Sequence, residues 1–555
     1  MSSERLIYLP LGGAGEIGMN AYVYGYGPKG RERLILVDCG VAFPDMDGSP
    51  GVDLIMADIA WLRHHRKRLE AIFITHAHED HVGALGMLWD QLQVPVYARR
   101  FTAMHARLKM EERGQDYNRV ETVRAFPEAV EAGPFRVSFL PVAHSIPESS
   151  ALLIESPAGK VIHTGDLKLD PTPLVGEAWD PGLWGQAAAG GVQALVCDST
   201  NVFSEHPGRS EASLRAPLAE LIAGAKGMVA ATTFASNVAR LKTLAEAGRD
   251  AGRSIVLMGR AMQKMVRTAE EAGVLSGFPD TLAPEAARDI PREKLMLIVT
   301  GSQGERRAAS AQLSQGRFLG LELKAGDLFV FSSKIIPGNE RGVIRVMNAY
   351  SEMGVDVVAE DDRYHVSGHA NRPDLLAVHA LVKPRMIVPM HGEHRHLREH
   401  ARLAEAGGIP AVVAPNGSMV DLSGASPQVV EHVETGRIYR DGSVLIGALD
   451  GIVRDRIRLA LNGHLAISVI IDEDDTPIEE PWVVALGLPT ASASGAPLVE
   501  AVEDAVAEVL GRADRRLVAS DEKLEREVAR VAKQAALETI GRKPEVSVVI
   551  SRLET

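Results

Sequence analysis

Short apolar runs divided by glycine turns fill the first 170 residues: LIYLPL, NAYVYGYG, RLILVDCG, AIFITHA, VPVYA, FRVSFLPVAH, SALLIES and KVIHTGD. Their length and their β-branched and aromatic content predict strands, and helical stretches such as LGMLWDQL lie between them. Most runs end in a polar residue able to do chemistry, which predicts layered sheets with a site along one edge. From about residue 206 Ala-rich helical segments (SLRAPLAELIAGA, NVARLKTLAEAG) alternate with apolar strands (GMVAATTF, SIVLMG, KLMLIVTG, DLFVFSS). This βαβ spacing predicts a parallel sheet.

The first texture returns after residue 365 in HVSGHA, RMIVPMHGEHRHL and AVVAPNGSMVDL. The middle unit therefore reads as an insertion, with boundaries at 1–205, 206–364 and 365–425. Residues 426–460 read as a linker, and 461–555 as a small C-terminal α/β domain. In that domain LAISVIID and WVVALGL predict strands, and two helices follow. Leu524, Val528, Val531 and Ala535 recur at helical spacing in the second, Gly541 stops it, and Val546, Val548 and Ile550 alternate as a last strand.

At 555 residues, 46% hydrophobic and 24% charged, the composition is that of a soluble protein with several cores. The net charge of -13 speaks against a surface coated throughout for nucleic acid, yet leaves room for a local basic groove. RHHRKR (63–68) and HGEHRHLREH (391–400) are basic or histidine-rich, although each alone reads as a solvated helix face. Cys39 and Cys197 are too few for a disulfide framework and lack the spacing of a thiolate zinc site. Any metal is thus expected on nitrogen and oxygen, and the chain is expected in a reducing cytoplasm. No basic leader precedes an apolar stretch and no run reaches membrane-spanning length, so neither secretion nor membrane insertion is expected.

GGAGEIG (12–18) has the GxGxxG spacing of a nucleotide loop, but the following MNAYVYGYG reads as a strand where such a loop must open into a helix. A glycine hairpin near a site is the better account, with Asn20 a site-facing amide. In ITHAHEDHVG, a strand ends at Thr75 and a helix is expected from about Gly83, which leaves the candidate ligands on a loop. His76 and His78 can face one point and Asp80 and His81 a second, so two metals are expected. Further ligands are available at strand ends: His144 in FLPVAHS, Asp166 in VIHTGD and His391 in RMIVPMHGE. His163 reads as structural or as a support behind a ligand, and Asp38 as a carboxylate that holds a loop or a ligand. Asp45 and Asp47, in the acidic turn FPDMDGSPGVD, and Asp450 offer oxygens to a structural divalent ion such as Ca2+, against the commoner reading of solvated acidic loops.

HAHEDH, the strand ends at His144 and Asp166 and the late His391 resemble the metallo-β-lactamase fold, an αββα sandwich with a dinuclear site. The resemblance implies His76, His78 and His144 on one Zn2+, Asp80, His81 and His391 on the other, and Asp166 bridging. The large insertion, LVCDSTN with Asp198, FSSKIIPGNE, and HVSGHA with His365 and His369 resemble the β-CASP branch, nucleases whose inserted α/β domain closes over the metals. Together with GGAGEIGMN, TGSQGE, PMHGEHRHL and the C-terminal domain, these motifs are similar to the bacterial ribonuclease J family. That implies 5′-to-3′ exonuclease activity on 5′-monophosphorylated RNA with additional endonuclease activity, in RNA decay and rRNA maturation. It also implies homodimers or homotetramers, single-stranded mRNA and rRNA precursors as substrates, and Mn2+ or Mg2+ as possible activity metals beside two Zn2+.

In the same terms Asp80, Asp198 and His369 are the expected catalytic residues, with His369, held by a carboxylate, the proton donor to a departing 3′ oxygen. His365, Val366, Ser367, Gly368 and His369 are expected to form a donor nest for the 5′-phosphate, although HVSGHA alone could be a solvent turn. Ser236, Asn237 and Ser333 are expected to contribute from the inserted side, with loop capping an equal alternative. A DNA-directed relative, an ester or thioester hydrolase on the same core, and an RNA-binding scaffold are the competing functions. The ester hydrolase leaves the insertion and His369 without work, and the intact ligand set weighs against the scaffold.

Overall fold

The structure is a computed structural model that describes residues 4–336 and 338–553; Pro337, within the SSKIIPGNE motif, lies outside the described residues. These residues fall into two compact units, one running to Phe43 and resuming as Ile55–Ile438, the other made of Pro44–Leu54 and the chain from Tyr439 onward.

Among the described residues of the first unit, an eight-stranded sheet has at its centre the antiparallel pair Glu4–Gly12 and Ala21–Pro28 around the GGAGEIG turn. Arg33–Val37, Leu69–Phe73, Val96–Arg99 and Val120–Val123 extend it on one side. The hairpin expected at GGAGEIG is therefore present. A six-stranded sheet runs from Val130–Ala132 through Phe135–Pro141, Ser150–Ser156, Gly159–His163 and Ala194–Asp198 to Ile387–Met390. The two-residue period of a strand decides what each sheet faces. Val161, Ala194 and Val196 pack with Tyr8, Tyr24, Val37 and Phe73 in a core shared by both sheets. Ile162, Leu195 and Cys197, on the opposite parity, pack on Trp184, Leu375, Val378 and Ala404 of covering helices. This is the sandwich that the metallo-β-lactamase resemblance implied, and the layered sheets that the strand pattern predicted.

Ala194–Asp198 pairs in parallel with Ile387–Met390, so two strands almost 190 residues apart end side by side, Asp198 opposite Met390. Between them the chain builds a parallel sheet in the order Thr281–Leu282, Ser254–Met258, Leu295–Val299, Val229–Thr232, Leu328–Phe331, Asp356–Val358. Its four inner strands are apolar on both faces, as a sheet covered by helices on each side requires. Val229, Ala231, Ile255 and Ile298 pack one way, and Ala230, Val256, Leu297 and Phe329 the other.

In the second unit His464–Ile471 lies between Trp482–Leu486, antiparallel, and Glu545–Arg552, parallel. Its alternate residues Leu465, Ile467, Val469 and Ile471 pack on Val502 and Val506 of helix Leu498–Arg512 and on Leu524 and Val528 of helix Asp521–Ile540. Gly541, at φ 71°, ends that helix in the left-handed conformation. The span 426–460, read as a linker, is folded into elements: strands Gln428–His432, Arg437–Asp441 and Val444–Gly447 and the helix Ile452–Asn462. These are poor in buried apolar positions, which removes the period by which sequence reveals strands and helices. No helix among the described residues is long and apolar enough to cross a membrane.

Candidate active site

The chain turns sharply after Leu69–Phe73. Gly40 lies so close to the next helix that a β-carbon there would sit 1.7 Å from the Asp80 carbonyl oxygen. Cys39 N–H donates to His81 O (2.7 Å) and Asn20 N–H to Asp80 O (2.9 Å), clamping that turn. The helix begins at Glu79, earlier than expected, so Asp80 and His81 lie in its first turn rather than on a loop. HEDH carries no apolar residue to mark that turn, which is why the pattern suggests a start near Gly83.

His76, His78 and His144 converge. His78 Nδ1 is 3.1 Å from His76 Nε2 and 3.0 Å from His144 Nε2, and Asp166 Oδ2 lies 3.6 and 3.5 Å from the same two Nε2 atoms. Asp166 Oδ1 faces a second group, 3.3 Å from His81 Nε2 and 2.6 Å from His391 Nδ1. Asp80 Oδ2 closes that group at 3.4 Å from His81 Nε2 and 3.3 Å from His391 Nε2. Four ligands around a zinc ion at its usual bond lengths are separated by about 3.3 Å, which the first group matches; in the second, Asp166 and Asp80 face different nitrogens of the His391 ring, of which one can bind a given ion. Asp166 Oδ1 and both ring nitrogens of His391 are buried and make no aligned hydrogen bond, Oδ1 and Nδ1 being close (2.6 Å) but poorly directed at each other, a state that buried polar groups rarely tolerate. Each group could therefore hold a metal ion. Burial holds His76 and His144 well below the ordinary imidazole pKa and His78 down to about 4, which keeps these rings as neutral donors.

The outer nitrogens are also spoken for. His81 Nδ1 lies 2.7 Å from Asp38 Oδ2, and Asp38 Oδ1 accepts from the Thr75 amide (2.8 Å). Asp38 thus holds a ligand from behind and fixes its orientation. His144 Nδ1 donates to the Gly368 carbonyl (2.6 Å), and a β-carbon at Gly368 would meet His144 Cε1 at 2.9 Å. His163 sits apart, its Nδ1 2.9 Å from the Tyr24 hydroxyl.

Beyond Asp166, His369 Nδ1 lies 2.8 Å from Asp198 Oδ2, and His369 Nε2 lies 3.9 Å from Asp166 Oδ2. Burial would depress the His369 pKa, but the Asp198 and Asp166 carboxylates outweigh it and hold it raised. Asp198 Oδ1 accepts from Thr200 N–H (2.9 Å) and Oγ1 (2.7 Å), so the carboxylate cannot turn away.

Profiles of known families place this geometry. Residues 15–196 match the metallo-beta-lactamase superfamily, 226–350 the ribonuclease J beta-CASP domain, 354–415 the Zn-dependent metallo-hydrolase RNA specificity domain, and 451–553 the ribonuclease J C-terminal domain. Ribonuclease J of Sinorhizobium meliloti is 42% identical over 559 aligned positions, covering 99% of this chain and 98% of that protein. The chain belongs to the ribonuclease J family. Ribonuclease J of Mycolicibacterium smegmatis is 39% identical over 83% of this chain and 82% of its own, and that of Thermus thermophilus 34% over 85% and 83%. A crystal structure of a protein of unknown function from Enterococcus faecalis, 18% identical, superposes with a TM-score of 0.52 over 75% of this chain and all of that one, a likeness of fold.

The ribonuclease J motifs around the metal cluster come together, whereas the expected phosphate contacts are more scattered. Ser367 Oγ accepts from Asn201 Nδ2 (2.8 Å) and from the His369 amide (3.2 Å). Val366 is buried among apolar residues of the insertion. Asn237 caps the helix Val238–Asp250, its Oδ1 accepting from Arg240 N–H at 3.0 Å, so that oxygen is engaged as a cap. The Ser236 carbonyl accepts from Val238 N–H (2.9 Å), and Ser333 is buried.

Arg240 is a residue that sequence reasoning missed. Fully buried, it pairs through two nitrogens with Glu211, donates to the Ser332 carbonyl (2.7 Å), and reaches His365 Nδ1 (3.2 Å). It thereby ties the insertion to HVSGHA. Its partners are 29, 92 and 125 residues away, a distance no local pattern spans. Asn201 is a second such clamp; its place in DSTN, three residues after Asp198, was the available signal. As for the calcium alternative to solvated acidic loops, the ion-binding clusters among the described residues do not include Asp45, Asp47 or Asp450. Asp45 and Asp450 accept from amides of their own turns, Asp47 N–H at 2.8 Å and Gly447 N–H at 2.6 Å, so the acidic-turn reading is the one supported.

Proposed function

We propose that this metal-dependent ribonuclease degrades RNA from a 5′-monophosphate end in the 5′-to-3′ direction, and also cuts internally, using two zinc ions. The observation that carries the reading is the Asp166 carboxylate. One oxygen belongs to each ligand group, and the Asp198-held His369 stands beside it. One ion would be held by His76, His78, His144 and Asp166, the other by Asp80, His81, His391 and Asp166. When bound, such a pair supplies hydroxide near neutral pH and neutralises phosphoryl charge.

The protein's own groups do the rest. Asp198 commits His369 Nδ1, leaving Nε2 to give its proton to the departing 3′ oxygen. Ser367, Gly368 and the neutral His365 ring would receive the 5′-phosphate. Burial first, then the adjacent Arg240 cation, push His365 down to about 3, so it offers hydrogen bonds without charge. Substrates would be single-stranded mRNA and rRNA precursors in the cytoplasm, with Mn2+ or Mg2+ also able to support turnover. Trp482, Leu486 and Val549 leave an exposed apolar face on the second unit's sheet, which supports assembly as a homodimer or homotetramer.

The test incubates purified protein and zinc or manganese with end-labelled RNA and DNA carrying 5′-hydroxyl, monophosphate or triphosphate ends. Mononucleotide release from 5′-monophosphate RNA, with the end preference weakened by His365→Ala, is expected. Cleavage of DNA alone, or indifference to the 5′ end, would refute the assignment.

A further inference from the structure

Phe203 points into solvent from a turn that is otherwise fixed. Val202 is fully buried, Ser204 N–H donates to Asn201 O (2.9 Å), and Arg372 reaches over the turn to Val202 O (3.1 Å). The Phe203 ring is nonetheless 47% exposed. The Arg395 guanidinium lies over it at 5.5 Å from the centroid, and the His396 ring lies 5.3 Å away, tilted by 60°. His396 is only 6% exposed, yet its Nδ1 has no hydrogen-bond partner. An exposed ring, an exposed guanidinium whose Nε donates to Glu393 Oε2 (3.0 Å) and an unspent polar atom are thus gathered in one place.

That place adjoins the reaction centre. Phe203 is five residues beyond Asp198, and His396 five beyond His391. A β-carbon on Gly392 would lie 2.9 Å from His396 Cβ and 3.4 Å from Ser199 Cβ, so the two segments pack together at the edge of the ligand cluster. A ring that served only to cover His396 could be any apolar side chain. A planar aromatic partnered by a guanidinium is what unpaired bases stack on, with little regard to sequence.

We propose that Phe203 and Arg395, backed by His396, form a stacking platform for one nucleobase of the RNA strand next to the scissile phosphate, Arg395 pairing with the neighbouring backbone phosphate. This rests on the ribonuclease reading, so the wild-type protein must first be seen to cleave the RNA used. The experiment compares kcat/KM of wild type, Phe203→Ala, Phe203→Leu and Phe203→Trp on 5′-monophosphate RNA and on a series with a single abasic nucleotide moved along the strand.

On intact RNA, Ala and Leu are expected to lose about 5- to 100-fold and Trp to stay within about 3-fold. At one abasic position wild type and Phe203→Ala should become equal. Wild-type activity in Leu, an unchanged Ala variant, or an Ala defect of the same size at every abasic position would overturn the platform while leaving the ribonuclease reading intact. Failure of the wild type to cleave RNA would overturn both. If Ala does not fold, the contrast between Leu and Trp carries the same test.

Discussion

Replacing Asp198 by Asn removes one charge and one acceptor while keeping shape. The carboxylate oxygen 2.8 Å from His369 Nδ1 is what favours the imidazolium and presents its Nε2 proton outward. Two opposite unit charges about 4 Å apart interact by roughly 4 kcal/mol at the effective dielectric of such sites. At 1.36 kcal/mol per factor of ten, that sets a ceiling near a thousandfold on what the charge contributes to proton donation. An Asn amide turned to His369 would donate to Nδ1 and leave a neutral ring, a far weaker acid. Thr200 still anchors the other oxygen, so the backbone should hold. Asp198→Asn is therefore expected to lower single-turnover cleavage about 100- to 1000-fold, with RNA affinity and metal content unchanged and part of the loss recovered as pH falls. Rapid-quench kinetics on end-labelled RNA, with metal analysis of the same sample, would measure it. A rate within about threefold of wild type would refute His369 as the proton donor, and a lost ion would show that Asp198 acts on the ligand shell instead.

Further outcomes follow from the same geometry. Asp38→Asn weakens the acceptor behind His81 and should reduce metal affinity about 10- to 100-fold in a metal-buffer titration. Gly368→Ala places a carbon 2.9 Å from His144 Cε1, must displace that buried ring, and should lower metal affinity in a metal-buffer titration together with metal-supported cleavage. The stacked pair His379 and His400 is buried, and burial first of all pushes their pKa values down to about 4 and about 3. Both are neutral in the fold and near 6.5 when unfolded, so their contribution is complete above about pH 6.5 and lost as pH falls toward 4 and below. Denaturant midpoints should drop over that window, and less steeply in His379→Gln. Truncation near residue 445 removes the exposed sheet face of the second unit and should change the sedimentation state; an unchanged state would argue against assembly through that domain.

The metal cluster was legible because its ligands announce themselves chemically and sit where apolar runs stop, as His144, Asp166 and His391 do. The insertion was legible because the strand texture around Asp198 resumes after residue 365. Less visible were features with no local period. Arg240 lies in an ordinary helical stretch, and only folding brings it to Glu211, Ser332 and His365. Asn237 reads equally as a ligand contact and as a cap until the helix behind it is seen. Residues 426–460 form strands and a helix whose faces are largely exposed, so hydrophobic patterning has little to report there.

Metal stoichiometry measured alongside RNA cleavage decides whether Asp166 joins two ions in one hydrolytic centre. Wild-type protein, stripped and reloaded under buffered zinc, should take up two ions per chain, and cleavage of 5′-monophosphate RNA should rise with loading. Asp166→Asn, which weakens the one carboxylate common to both ligand groups, should impair both ions together and abolish cleavage. Binding of a single ion by the wild type, or full RNA cleavage by the stripped protein, would rule out a two-ion centre.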